Sequence, residues 1–184
     1  MTDLSYTVPG LGTDDSRRLV EALQDRLHAL NDLHLTLKHA HWNVVGPQFI
    51  AVHEMLDPQV ELVRGYADEV AERIAQLGAS PVGTPGRLVA ERGWSDYELG
   101  RAGTQEHLAA IDQVYDGVIA SHRKAITLAG ELDPITEDML ISQTGGLEAF
   151  QWFVRAHLEN DEGDLATRGA SSENDAAQRA VGNG

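Results

Sequence analysis

Six leucines, Leu19, Leu23, Leu27, Leu30, Leu33 and Leu37, recur at intervals of three and four residues. That repeat is the stripe of an amphipathic helix. Asp14, Asp15 and Ser16 are its N-cap choices. Val45-Gly46-Pro47-Gln48 closes it just after Val44. A second helix is expected from Phe49 to Leu77, with Val52, Leu56, Val60, Val63, Val70 and Ile74 inward. Pro58 conflicts with it locally, because a mid-helix proline costs about 3 kcal/mol; a kink is expected there.

The rest of the chain reads in the same way. Pro81, Gly83, Pro85, Gly86 and Gly93 make a long connection from Gly78 to about Ser95, with room for a short helix from Arg87 to Glu91. A third helix is expected from Tyr97 to Ala129, with Leu108, Ile111, Val114 (or Tyr115), Val118, Ile119 and Ile126 inward and Gly117 as a weak point. Asp133-Pro134 is a start signal, an N-cap followed by proline at the first helical position. The fourth helix runs to about Glu159, and its Gly145-Gly146 pair marks a tight contact or a weak point. Strand alternation of the kind that flanks a hairpin turn is lacking. The expectation is an all-α four-helix bundle over residues 14–159, with a short helix in the long crossover between helices 2 and 3. Residues 1–13 read as a mobile N-terminal arm. Residues 160–184, rich in Gly, Ala and Asp, read as a disordered C-terminal tail.

Composition narrows the function classes. At 184 residues the chain has the length of one domain, and it has no cysteine, so disulfides and thiolate metal sites are excluded. No apolar run reaches the length of a membrane span and no signal pattern is visible, so a cytoplasmic protein is expected. The net charge is −15 and only Lys38 and Lys124 are lysines. A basic patch able to grip phosphates is not evident.

Chemistry concentrates between Lys38 and Arg73. His41, His53, Asp57, Asp68 and Glu72 are a mixed imidazole and carboxylate set, suited to ferrous iron or zinc rather than magnesium or calcium. His53 and Asp57 are four apart, as are Asp68 and Glu72, so each pair shares a helix face. On one helix Asp57 and Asp68 lie roughly 16 Å apart, and His53 lies about 28 Å from Glu72. Each pair is therefore half a site. An isologous dimer, with the early part of one helix beside the late part of its mate, would join the halves into two composite sites.

The run His41-Trp42-Asn43, Gly46-Pro47, Phe49, His53-Glu54-Met55-Leu56-Asp57, Asp68 and Ala71-Glu72-Arg73 resembles the signature of the Dps family of mini-ferritins. Phe150-Gln151-Trp152-Phe153 resembles that family too. The resemblance implies a ferritin-like bundle in a homododecameric shell, with a di-iron ferroxidase site shared across each dimer two-fold. His41, His53 and Asp57 would come from one subunit and Asp68 and Glu72 from the other. It implies oxidation of Fe(II), preferentially by hydrogen peroxide, storage of ferric mineral, and protection of DNA and the cell from oxidative damage; zinc is able to substitute.

Neighbouring features take plainer readings. His34 and His39 are surface or core-edge residues, and Trp42 and Trp152 are packing residues rather than electron donors. Asp112, Asp116, Glu131, Asp133, Glu137 and Asp138 are candidates for lining the pores that admit iron. A nucleoid-associated shell that compacts DNA is the alternative. Residues 1–18 offer it only Arg17 and Arg18, and the C-terminal tail only Arg168 and Arg179, so DNA binding is expected to be weak or absent. A structural zinc bundle is disfavoured, since a closed tetrahedral site would be gathered within one chain.

Overall fold

A computed structural model describes residues 4–160 and 162–182. Four long helices form the bundle: α1 (Thr13–Asn43), α2 (Phe49–Gln76), α4 (Thr104–Leu132) and α5 (Pro134–Ala156). The short α3 (Pro85–Glu91) lies in the crossover, and α6 (Glu173–Gly182) follows the bundle. Helix α1 packs on α2 and α4 on α5, while α1 also meets α4 and α2 meets α5. The leucine stripe of α1 is buried throughout. Val52, Leu56, Val63, Val70 and Ile74 of α2 meet it in one core with Leu108, Ile111, Tyr115, Leu140 and Leu147. Inside that core Tyr115 Oη donates to Gln59 Oε1 at 2.8 Å, tying α4 to α2 through a polar bond.

Helix α2 runs without interruption through Pro58. Tertiary packing on both sides offsets the local cost. Helix α4 begins at Thr104, not Tyr97, because Ala102–Gly103 (β2) pairs in parallel with Val44–Val45 (β1). Tyr97 instead folds back so that its hydroxyl meets His107 Nδ1 at 2.8 Å. Helix α5 starts as its sequence signal requires: Asp133 caps it by accepting from the Thr136 N–H at 3.0 Å. Of the paired glycines, Gly146 makes the tight contact, since an added Cβ would strike the Tyr66 hydroxyl, while Gly145 faces open space.

Both flanking segments make contacts with the bundle where they are described. In the arm, the Ser5 N–H donates to Gly78 O at 2.9 Å, Tyr6 Oη donates to Ala75 O at 3.1 Å, and Leu4, Val8 and Leu11 pack on the core. Residues 1–3 lie outside the described residues. The contact depends on Gly78, which has φ +91° and whose added Cβ would overlap the Tyr6 carbonyl. Gly78→Ala is expected to lower stability by about 1–3 kcal/mol, read as a shift of the urea unfolding midpoint. A neutral result would show that the arm contact is dispensable.

In the tail, residues 173–182 form α6 instead of disorder, and Ala176 and Ala177 are buried against α4. Alanine buries little area, so composition does not reveal the contact; small side chains let the two helices approach. Leu158 also joins the core, and Thr167 Oγ1 donates to Asp112 Oδ2 at 2.8 Å. Residues 161, 183 and 184 lie outside the described residues.

Candidate metal centre

The turn between α1 and α2 builds the half-site. Gly46 takes φ +116°, a conformation glycine adopts without Cβ strain. The Phe49 N–H returns to Gly46 O at 3.0 Å, so α2 doubles back along α1. This sets His41, near the end of α1, against His53 in the second turn of α2. Their rings stack with centroids 3.6 Å apart. His41 Nδ1 lies 2.8 Å from His53 O, and His53 Nδ1 lies 2.9 Å from His41 O. A carbonyl oxygen only accepts, so each Nδ1 carries the proton and each Nε2 is left with a free lone pair. A backbone bond at the second ring nitrogen fixes tautomer and orientation, as metal-ligating histidines require. Phe49 leans on the His53 ring at 4.9 Å.

Asp57 stands one turn beyond His53 and is exposed. Its Oδ1 accepts from Lys38 Nζ at 2.6 Å and lies 3.3 Å from His41 Nδ1. The Lys38 hydrogen bond holds the carboxyl below its usual range, outweighing the small effect of burial, with His41 adding to it. The structure thus brings together His41, His53 and Asp57, and adds Lys38 as the partner that occupies the carboxylate. Lys38 competes with a metal ion for that carboxylate. A Lys38→Gln variant should therefore bind the second of two divalent ions about two- to fivefold more tightly, the scale of an exposed ion pair. Titration with Co(II) reads this directly, and unchanged or weaker affinity would remove Lys38 from the account.

Asp68 and Glu72 lie further along α2 and are exposed. Asp68 borders a separate cleft of 330 Å3 with Asn31, His34 and Arg64. His34 is half-buried at this edge, and burial, then Arg64, lowers its pKa. Among the described residues, no three His, Asp or Glu side chains converge to hold an ion within one chain.

Several acidic candidates have other work. Asp112 is buried and bonded to Gln151, Arg155 and Thr167, which fastens α4 to α5 and to the segment after it. Asp133 is buried with Arg73. Asp116 pairs with Arg155 at 2.7 Å. Each of these three finds a cation within its own chain. Trp42 and Trp152 are not packed within the chain either, at 70% and 65% exposed. Among the described residues, no helix is long and apolar enough to cross a membrane.

The ferritin-like domain profile matches residues 20–163. The DNA protection during starvation protein of Mycolicibacterium smegmatis is 58% identical over 176 residues, 96% of each chain. Its solved structure superposes with TM-score 0.89, covering 92% of this chain and 97% of that one. DpsA14 from Streptomyces coelicolor gives TM-score 0.88 at 62% identity, covering 89% of this chain and 98% of that one.

Proposed function

The chain belongs to the Dps family of ferritin-like proteins, and on that premise we propose that it is a ferroxidase and iron store whose catalytic centre is shared between two subunits. The observation that carries the reading is the reciprocal His41–His53 lock, which leaves two Nε2 lone pairs without a hydrogen-bond partner among the described residues. Neutral imidazoles hold ferrous iron without overbinding it. Asp68 and Glu72 of the partner subunit would complete the centre. Their hard anionic oxygens favour the ferric state over the ferrous one, and so favour oxidation.

The surroundings support an interface here. Trp42, Ile50 and Leu35, at 70%, 58% and 55% exposed, together with Phe49 put large apolar side chains on the elements that carry the half-site. Such residues mark a surface made to be covered. A second copy arranged about a two-fold axis covers this surface and brings carboxylates to the histidines in one step. Dimers of this kind would build the dodecameric shell, in the cytoplasm, with ferric mineral stored inside.

Iron is the substrate of this reaction. Two Fe(II) give one electron each to a hydrogen peroxide, which takes up two protons and leaves as two waters. Pairing the electrons avoids release of hydroxyl radical, and that chemistry would be how the protein protects DNA. Anaerobic loading with Fe(II), followed by peroxide additions, tests it through ferric absorbance in the near ultraviolet. The expected endpoint is one peroxide for two irons; an endpoint of one for one would replace paired oxidation with single-electron chemistry.

Physical DNA binding has no comparable support. The chain carries 29 acidic residues against 14 lysines and arginines. Duplex DNA should run unshifted with the protein at about 0.15 M salt, and a clear gel shift would restore the compaction reading.

A further inference from the structure

A cavity of 290 Å3 lies between α1 and α4, away from the histidine pair, with Glu173 of α6 on its wall. That volume is at the small end of ligand cavities. Arg26 and Ser121 line it, with Leu33 and Val114 further along, and Trp94 also on its wall. Arg26 donates to Ser121 Oγ across the two helices. Leu33 is seven residues on from Arg26, about 10 Å along α1.

Arg26 is the unusual group. It is 8% exposed, yet among the described residues no carboxylate lies within ion-pair distance of it. Its only hydrogen-bond partner there is Ser121, although a guanidinium has five donors. Burial lowers its pKa, and Asp25 nearby only partly counters this. The adjoining His122 supplies no anion: burial, then Arg26, pushes it down to about 4, and its Nε2 has no partner. A buried cation is ordinarily paired, and the fold leaves this one facing a cavity.

Asp32, on the same wall, is engaged by other partners. Asp32 accepts from Arg92 Nη1 at 3.2 Å and from Trp94 Nε1 at 2.5 Å. Burial, with Asp32 and Glu98 near, raises the Glu173 carboxyl. The rest of the lining is the apolar Ala29, Leu33, Val114 and Val118 with Gly117 and the polar Gln113. Gly117 opens this stretch, since a Cβ added there would meet nothing within 4 Å.

We propose that this cavity binds a small organic carboxylate with an unbranched apolar body, its head on Arg26 and Ser121 and its body along Leu33, Val114 and Gly117. The head supplies the counter-ion that the fold withholds from Arg26, and the body fills the apolar stretch. Charge-assisted hydrogen bonds of this type are roughly twice as strong as neutral ones, so the head sets the selectivity.

Calorimetric titration of the intact assembled protein, free of iron, with hexanoate tests the proposal independently of any ferroxidase activity. Hexanoate should bind saturably at one per chain, with hexan-1-ol and hexylammonium about tenfold weaker or worse. Arg26→Met should lose about tenfold in affinity or more. Gly117→Leu should abolish binding by filling the cavity while the chain stays folded, since leucine is the better helix former. It decides the matter even if Arg26→Met fails to fold. Equal affinity for hexanoate and hexan-1-ol, wild-type hexanoate binding by Gly117→Leu, or no saturable heat would each overturn the proposal.

Discussion

Replacing Asp68 and Glu72 together by alanine will slow Fe(II) oxidation by about a hundredfold or more while leaving the fold intact. Both carboxylates are exposed on α2, so their loss removes no buried contact and stability should change by less than about 0.5 kcal/mol. Outer partners of metal ligands already carry about 10- to 100-fold effects, and direct ligands should lie at or beyond that limit. The loss should fall on oxidation and not on the first ferrous ion bound by His41 and His53. Rapid-mixing absorbance after peroxide addition separates the two steps. A variant that still oxidises iron at the wild-type rate would move the chemistry away from these carboxylates.

The largest effect on stability is expected at Arg73. Its guanidinium is buried and reaches three partners: Asp133 Oδ2 at 2.6 Å, Thr136 Oγ1 at 3.0 Å and Gln76 Oε1 at 2.9 Å. Asp133 is at the same time the N-cap of α5. Arg73→Met keeps most of the stem but leaves that carboxylate buried without its cation, a loss of about 3–5 kcal/mol. The thermal midpoint should fall by about 6–20 °C for a chain of this size. A fall of under about 2 °C would mean that water reaches Asp133.

The same pair has a pH signature. Burial alone would raise the Asp133 carboxyl, but hydrogen bonds from Thr136 and Arg73 outweigh it and hold the group below its ordinary range. A depressed folded-state pKa stabilises the fold above the unfolded value and ceases to do so as pH falls through the folded one. The gap in stability between wild type and Arg73→Met should therefore be full near neutrality and shrink below about pH 4.

The bundle was legible because its helices are long and their stripes regular: the leucines of α1 and the Asp133-Pro134 start of α5 appear where the pattern puts them. Boundaries failed where tertiary bonds overrode local signals. Tyr97 left the expected third helix for His107, and the two-residue strands at Val44–Val45 and Ala102–Gly103 took the backbone that helix would have used. The tail failed differently: Ala176 and Ala177 gain their contact from closeness, which no hydrophobicity pattern records. At the candidate site, spacing identified His53 with Asp57 and showed that Asp68 and Glu72 were too far along α2 to join them. It did not show the reciprocal carbonyl bonds that set both imidazole tautomers, because those depend on the close approach of two helices. Lys38 carried a signal that was readable in part, since it stands three residues before His41 on α1. Its bond to Asp57 required the α1–α2 turn.

The claim that the site is shared between subunits is tested most directly by complementation. One variant, His41→Ala with His53→Ala, lacks the imidazole half; the other, Asp68→Ala with Glu72→Ala, lacks the carboxylate half. Each alone should be inactive. Co-expressed in equal amounts with different tags, half of the randomly formed dimers are mixed. Each mixed dimer then holds one intact site and one lacking both halves, which returns about one quarter of wild-type ferroxidase activity. Recovery near that fraction in shells carrying both tags is the predicted result. Co-assembled shells with no activity would place all five residues in one chain's site and contradict the account.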